Sequence, residues 1–456
     1  MTRYLVLFLL SISLVDIGRG QEPNAAPEPV PDLLKDAAAQ PPLSLNQIEQ
    51  FALSGNPTLT QASAIVRQSA GQVRQAGLLP NPTIGYQGEQ IRGGAYGGGE
   101  QGAFIQQNVV LGGKLGLRRN VYEQQRHVDE IGVTEQRYRI IGDVDRSFYQ
   151  ALAAQEIVKV RRRLLGLAMD AVETAHQLAN VGQADAPDVL QAEVEADQAR
   201  IDYATAQRTY IQEFRSLAAL VGKPELTFAA LAGDLERPPA IDENQIIQRV
   251  VDESPEVKRA QQDVVRAEAE LKSARRETVP DLQIRTGVEQ NNERLVDASP
   301  TPVGLQAFAS AGITLPLFNR NQGNVAAAAA NLERAKSEVV RAQLSLRRSS
   351  QPLLQGYLSE QLEASRYKTE MIPRATRAYQ LYLAKYKQMG AAYPQVIVSQ
   401  RTLFQLQVNY ISVLQALWSN AIALQNYLLT DGLMAPQPSR SSGANINPTN
   451  LGGGAQ

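Results

Sequence analysis

The stretch GITLPLFNRNQGNVAAAAANLERAKSE, from Gly312 to Glu338, joins a strand pattern directly to a helix pattern. Apolar and small residues alternate with others up to Leu315, which is typical of a half-buried β-strand. An alanine-rich helical sequence follows, and only Phe318–Asn324 separates the two patterns. The sequence therefore predicts a strand that runs into a long helix without a flexible linker between them.

The bulk composition excludes several functional classes. The 456 residues carry a net charge of −1, which gives no strong attraction to nucleic acid. The chain has no cysteine and only two histidines, His127 and His176, so we expect neither disulfides nor a metal site. We expect no cofactor and no enzyme activity, because no P-loop, GxSxG, HExxH or Rossmann fingerprint occurs.

The N-terminus has the pattern of an export signal. Arg3 precedes an apolar run, Tyr4–Val15, that is too short to span a bilayer, and small residues follow up to Gly20. We expect residues 1–20 to be a signal peptide and not a buried strand, because a Pro-rich flexible segment, 21–43, follows. The lack of cysteine predicts an exported protein without a lipid anchor, and no later apolar run predicts a transmembrane helix.

One unit occurs twice along the chain. Pro57 and Pro80 in the first copy correspond to Pro255 and Pro280 in the second. Each copy reads as a helix, two strands, a very long helix, a turn and a return helix. The boundaries that we predict are 44–222 for the first repeat, 223–242 for an equatorial linker, 243–432 for the second repeat and 433–456 for a disordered tail.

The helices of the first copy have coiled-coil seams. We expect one helix over Lys114–Asn180, about 100 Å long at 1.5 Å per residue, and a return helix from Pro187 to about Val221. Many seam residues are alanines, so each helix needs neighbours on more than one side. The predicted seams are Ile157, Val160, Leu164, Leu167, Ala171, Ala175 and Leu178 in the first helix, and Ala192, Ala196, Ala199, Tyr203, Ala206, Tyr210, Phe214, Leu217 and Val221 in the second.

The four strand segments cannot form a closed structure within one chain. Alternating segments of about ten residues are a weak signature of an outer-membrane barrel, and two hairpins on a soluble sheet are the alternative. The smallest transmembrane barrels have about eight strands, and open edges are not tolerated in lipid. If these strands span a membrane, several chains must share one barrel.

Several short motifs resemble the TolC-like outer membrane efflux proteins. They are LLPNP before the first strand, LGGKLGLRRN, LPLFNRNQGN and the NVG…DV turn, and the resemblance covers 44–432. The phrase VVLGGK followed by basic residues is most similar to the heavy-metal (CzcC-like) branch. The resemblance implies a mainly α fold with a small β part, in which long antiparallel coiled-coil helices are continuous with four strands per chain. Three chains would complete a trimeric 12-stranded transmembrane β-barrel, with an equatorial collar around Leu226–Leu235.

The resemblance also implies a function. A homotrimer in the outer membrane, in contact with its lipid and extending into the periplasm, would be the passive exit duct of a tripartite efflux pump. Its partners would be a periplasmic adaptor (membrane fusion) protein and an inner-membrane pump of the resistance-nodulation-division type. A secretion-system duct of the same fold and a non-channel helical scaffold remain alternatives. The substrate cannot be read from the sequence.

The two helix turns would form the periplasmic tips. Asn180, Val181 and Gly182 match the first tip motif of the family, and Met389 and Gly390 lie at the second, so these five are the predicted adaptor contacts. Glycine suits such a reversal because it adopts positive φ at little cost.

The gate residues are harder to assign. Asp188 lies where the family places an acidic residue at the constriction, although an acid beside Pro187 also suits a helix N-terminus. The second tip has Ala392 where some members carry an arginine, so we expect a less charged aperture. The remaining gate candidates are Tyr386, Lys387 and Tyr393, for which simple packing is the alternative.

Overall fold

The computed structural model describes residues 40–91, 99–294, 302–388 and 393–437. The predicted signal peptide, most of the Pro-rich segment and the tail after Gln437 lie outside the described residues. Met389 and Gly390 at the second tip, and the side chain of Lys387, lie outside them as well.

In the described part of the first repeat, a short strand and two helices precede the strand pair, where the sequence predicted one helix. A helical hairpin follows the strand pair. The elements are β1 (Leu43–Ser44), α1 (Leu45–Gly55), α2 (Pro57–Ala76), β2 (Thr83–Glu89), β3 (Glu100–Val109), α3 (Lys114–Asn180) and α4 (Ala186–Leu220).

The second half has the same order after a linker that contains one short strand. Its long helix is interrupted by a π-helical turn at Tyr367–Met371. The elements are β4 (Leu231–Ala232), α5 (Ile246–Glu253), α6 (Pro255–Arg276), β5 (Leu282–Arg294), β6 (Pro302–Ile313), α7 (Gln322–Arg366), α8 (Ile372–Lys387) and α9 (Tyr393–Gln425).

The helix that precedes each strand pair begins in the same way in both halves. Asn56 accepts a hydrogen bond from the backbone N–H of Thr58, and proline is the first residue of α2. Ser254 accepts from Glu256 in the same manner, and α6 also begins with proline. A capping side chain satisfies a free N–H group and proline needs none, so both residues fix the helix start.

One antiparallel sheet contains the long strands of both repeats, in the order β2-β3-β5-β6. The registers bring Ile84, Ile105, Thr286 and Ala309 into one cross-strand row on the same face. Large apolar side chains on this face are exposed, including Ile84, Tyr86, Val288 and Leu305. The opposite face carries Gly85, Phe104, Gly287 and Phe308 in one row, with polar residues in the rows beside it.

The helical core confirms most of the predicted seams. All nine seam residues predicted for α4 are buried. In α3 the prediction for Leu167 was wrong: this side chain is exposed, and Ala168 is buried in its place. The seam of α3 shifts by one position there because the face that meets α4 moves around a helix of 67 residues.

Side chains from the long helices hold the equatorial linker. The hydroxyl of Tyr210 donates to the Ala229 carbonyl at 3.0 Å, and the indole of Trp418 donates to the Leu235 carbonyl at 2.9 Å. The side-chain amide of Gln155 accepts from the Leu231 N–H at 2.8 Å and donates to its carbonyl at 3.1 Å. These bonds satisfy buried backbone groups of a segment that has little regular structure of its own.

The junction between strand and helix differs slightly from the prediction. The sequence pattern extends the last strand to Leu315, whereas β6 ends at Ile313. Its partner ladder ends at the pair Leu282↔Ile313, so Leu315 has no residue opposite it. Helix α7 then starts after Asn321, which adopts a left-handed φ of 59°. Across the described residues, no helix is both apolar and long enough to cross a bilayer.

Candidate functional site

The first tip is a tight reversal between α3 and α4. Gly182 has a φ of 71°, and its N–H donates to the Ala179 carbonyl at 3.0 Å. The N–H of Gln183 donates to the Leu178 carbonyl at 2.8 Å. This pair of bonds is a Schellman motif, which satisfies the last carbonyls of a helix and requires a left-handed residue. Val181 beside it is exposed at the end of the hairpin.

The second hairpin packs against the first through tyrosines. Tyr386 of α8 and Tyr393 of α9 have ring centroids 5.4 Å apart. Tyr393 lies in a small apolar cluster with Ala175 of α3 and Ala192 of α4, and Tyr386 packs against that cluster. The two alanines leave room for the rings, so small residues on one hairpin face large aromatic residues on the other.

The Asp188 carboxylate contributes to raising the pKa of both of these tyrosines. Burial, and then the nearby Asp188 carboxylate, raise the pKa of Tyr386 above its ordinary value. Burial, with the electrostatic effect of Tyr386, Glu195 and other neighbours including Asp188, raises the pKa of Tyr393 to about 12. Both hydroxyls therefore stay protonated at any physiological pH and remain available as hydrogen-bond donors. Three of the four predicted gate residues thus come together, and the fourth, Lys387, has no described side chain.

Ion pairs connect the helices above the tip. Arg401 of α9 donates through Nε to Glu195 of α4 at 2.9 Å. Arg161 of α3 forms an ion pair of 2.7 Å with Asp202 of α4. The first contact links the two hairpins, and the second links the two helices of the first hairpin. The tip is therefore held by polar contacts as well as by its small apolar core.

A buried lysine at the other end of α3 has a role that the sequence reasoning missed. Lys114 is 4% exposed, and its ammonium lies 2.6 Å from the Asp281 carboxylate and 2.9 Å from the Val279 carbonyl. One turn later, Arg118 pairs with Glu277 at 2.9 Å. We call these four charged residues the repeat latch, because they join the start of α3 in the first repeat to the segment before β5 in the second.

The motif LGGK contains the only local signal for this latch. Gly112 and Gly113 have φ values of 69° and 70°, and a side chain at Gly112 would meet Val279 at 3.0 Å. The two glycines therefore let the chain turn from β3 into α3 while Lys114 faces the other repeat. Its partner Asp281 is distant in sequence, and no local pattern identifies it.

The described residues contain no group of three or more histidine, cysteine or acidic side chains arranged to hold a metal ion. The tip and the latch are therefore sites of contact and charge within these described residues, and neither has the donor set of a metal centre.

Comparison with known proteins gives consistent results. The family profile described as "Outer membrane efflux protein" matches residues 49–223. The chain is 27% identical over 406 residues to the cobalt-zinc-cadmium resistance protein CzcC of Cupriavidus metallidurans, covering 88% of this chain and 92% of that protein. It is 25% identical over 309 residues to the nickel-cobalt-cadmium resistance protein NccC of Alcaligenes xylosoxydans xylosoxydans, covering 66% of this chain and 67% of that protein.

Solved structures share the fold at lower identity. CusC superposes with a TM-score of 0.68 at 17% identity, covering 91% of this chain and 100% of that structure. The outer membrane protein VceC from Vibrio cholerae superposes with a TM-score of 0.67 at 17% identity, covering 86% of this chain and 97% of that structure. The duplicated plan, the sequence relatives and the shared fold agree with the resemblance seen in the motifs: this chain is similar to the outer membrane efflux proteins and has the fold of the TolC-like channels.

Proposed function

We propose that three copies of this chain form the outer-membrane exit duct of a tripartite efflux pump. The observation that carries the proposal is the four-stranded sheet, whose apolar face is exposed and whose outer strands, β2 and β6, have free edges within the described residues. Free edges and exposed apolar side chains are unfavourable in water, and free edges are also unfavourable in lipid. Twelve strands from three chains would cover every edge and place the apolar face against lipid.

The long helices would continue the same wall into the periplasm. Helix α3 has 67 residues, which is about 100 Å at 1.5 Å per residue. A duct of this length would bring the tips toward an inner-membrane pump, with a periplasmic adaptor around them. Asn180, Val181 and Gly182, with Met389 and Gly390 at the second tip, are the proposed adaptor contacts.

The proposed gate lies where Asp188, Tyr386 and Tyr393 meet. Two protonated phenol groups beside a carboxylate supply donors and an acceptor that can hold two hairpins together. The outward movement of one hairpin would separate these groups and widen the aperture. Ala392, where some family members carry an arginine, lies outside the described residues, and the less charged aperture stays a prediction.

The proposed substrates are divalent cations of the transition-metal group. Support comes from the two relatives, which are named for resistance to cobalt, zinc and cadmium and to nickel, cobalt and cadmium. In this arrangement the pump selects and drives transport, and the duct conducts passively.

A tolerance assay tests the proposal. A host that has the metal pump and its adaptor but lacks the duct is transformed with this chain, and growth is measured in graded Co²⁺, Zn²⁺ and Cd²⁺ and in a lipophilic drug. We expect restored tolerance to the cations alone. If drug tolerance returns instead, the substrate class is wrong. If neither returns and the purified protein never conducts ions in planar bilayers, the chain is a scaffold.

A further inference from the structure

The junction between strands and helices has a layered surface that the proposed duct does not by itself explain. Five apolar side chains there are each more than half exposed, and Phe318 is 92% exposed. Four exposed arginines lie directly on the helical side of them. We call this surface the junction belt; its apolar part is Leu78, Leu79, Leu315, Leu317 and Phe318, and its basic part is Arg74, Arg119, Arg275 and Arg320.

The same arrangement occurs in both repeats. Arg74 lies in the last turn of α2, and the side chain of Arg119 packs beside Gly77 at the end of that helix. In the second repeat, Arg275 lies in the last turn of α6. Asn321 donates to the Ala274 carbonyl at 2.8 Å, which brings the neighbouring Arg320 to the end of α6. Each repeat thus contributes one arginine from a helix end and one from a helix start.

Helix dipoles explain only half of these charges. A cation at the C-terminal end of a helix is favourable, which accounts for Arg74 and Arg275. A cation near a helix N-terminus is unfavourable, yet Arg320 lies two residues before α7. Arg119, in the second turn of α3, gains nothing from the helix dipole.

Nearby carboxylates do not offset this cost. Glu277 and Asp281 are engaged by Arg118 and Lys114 in the repeat latch. None of the four belt arginines forms an ion pair with another described residue. An anionic partner outside the chain would offset the cost at Arg320 and would give Arg119 a counter-charge.

The apolar part of the belt indicates what this partner is. Leu315 and Leu317 follow the alternation of the exposed face of β6 beyond the last ladder pair at Ile313, so they extend the lipid-facing surface of the proposed barrel. An apolar ring that is continuous with this face and bordered by cations has the layering of a membrane–water interface.

We propose that the junction belt binds anionic phospholipid head groups of the periplasmic leaflet. The inference rests on the proposed outer-membrane function, and it adds a specific lipid class and the residues that recognise it. The guanidinium groups hold the phosphates by paired hydrogen bonds, while the apolar part lies among the first methylenes of the acyl chains. The belt thereby fixes the depth of the duct in the membrane.

Lipid retention measured by native mass spectrometry tests this inference. The full-length protein is incubated with equimolar phosphatidylglycerol and phosphatidylethanolamine in detergent, and the ratio of the bound lipids is recorded. We expect the variant Arg74→Gln/Arg119→Gln/Arg275→Gln/Arg320→Gln to lower the phosphatidylglycerol preference by at least about fivefold, since each cation near a lipid surface contributes to anion binding. Excess inorganic phosphate should not displace the bound phosphatidylglycerol, because phosphate alone lacks the acyl contact.

A matched variant separates lipid recognition from a general effect of charge. Arg208→Gln/Arg215→Gln/Arg348→Gln/Arg377→Gln removes four exposed arginines from the helical part and should retain the wild-type ratio. An unchanged ratio in the belt variant would overturn the inference. Loss of the oligomer in the belt variant alone would also overturn the inference, since the arginines would then contact a second copy. Channel conductance is measured in parallel, so that failure of the duct proposal is seen separately.

Discussion

At the residue scale, Asp188 has both a structural position and a place in the proposed gate. It lies in the first turn of α4, where an acidic side chain is favoured by the helix dipole, and it also raises the pKa of two tyrosines from the other hairpin. The sequence pointed to these residues individually through the family resemblance. Only the packing of one hairpin on the other shows that they meet.

Replacing Asp188 with asparagine should weaken the block of the channel by multivalent cations. Three copies would place three carboxylates around one aperture, and such rings concentrate cations. We expect Asp188→Asn to raise the half-blocking concentration of a trivalent cation about tenfold in planar bilayers, with the oligomer intact. Asp185→Asn changes the same charge at an exposed position three residues away and should leave the block unchanged. An identical response of both variants would remove Asp188 from the gate.

The hydroxyl of Tyr393 should hold the closed state. Because its pKa is raised to about 12, it is a neutral donor at working pH, and Tyr393→Phe removes that donor while the ring packing stays. We expect a conductance at least about twofold above wild type at low voltage. Tyr382→Phe, on an exposed tyrosine of the same hairpin, is the control. Wild-type conductance in Tyr393→Phe would show that this tyrosine only packs.

The raised pKa of a second carboxyl, that of Asp145, predicts that stability depends on pH. Burial, together with the charge of Glu49 and a hydrogen bond to it, raises the pKa of Asp145 from 3.8 to about 8. The folded chain therefore keeps a proton that the unfolded chain releases above pH 4. Stability from this group is complete below pH 4 and is lost as the pH rises toward 8.

Asp145→Asn should remove this pH dependence. The amide keeps the shape of the protonated acid and cannot ionise, so the variant should gain about 1–3 kcal/mol over wild type at pH 8.5 and little at pH 5. Melting temperatures of the detergent-solubilised protein across this range give the comparison. Glu243→Gln, at an exposed carboxyl that directly follows the linker, should keep the wild-type slope. Parallel curves for wild type and Asp145→Asn would contradict the assigned proton.

At the scale of elements, local periodicity predicted the helices and missed what joins the repeats. The seam of α4 could be predicted because its apolar residues recur at every third or fourth position over 35 residues. The repeat latch could not be predicted from the sequence, because Lys114 and Asp281 are brought together only by the pairing of β3 with β5. The π turn at Tyr367–Met371 was likewise missed; Pro373 follows it and lacks the N–H that an α-helix would use.

The latch should stabilise the contact between the repeats. Lys114→Met leaves the Val279 carbonyl and the Asp281 carboxylate without their cation, and we expect a loss of about 2–4 kcal/mol in unfolding free energy. The double variant Lys114→Met/Asp281→Asn should lose less than the sum of the two single variants. Lys159→Met breaks an exposed pair with Glu156 and should cost less than about 0.5 kcal/mol. Additive losses at Lys114 and Asp281 would mean that the pair is not coupled.

At the scale of the whole molecule, the sheet mixes strands of both repeats. In the proposed duct, a single chain would therefore contribute one sector of the wall rather than two separate hairpins. The sequence predicted that four strands cannot close by themselves, because the argument needs only strand number and the cost of free edges in lipid. In the proposed barrel, the register between copies would depend on contacts across β2 and β6, which no pattern within one chain encodes.

Disulfide trapping between the two sheet edges tests the shared barrel most directly. The chain has no cysteine, so pairs such as Ile84→Cys with Ala309→Cys, and Tyr86→Cys with Ala307→Cys or Ala311→Cys, are the only thiols present. Within one chain these edges are three strand spacings apart, about 14 Å, which is too far for a disulfide. After oxidation in membranes, at least one pair should give covalent dimers and trimers and nothing larger. Monomers alone for every pair, or a ladder that continues beyond three, would contradict a barrel closed by three copies.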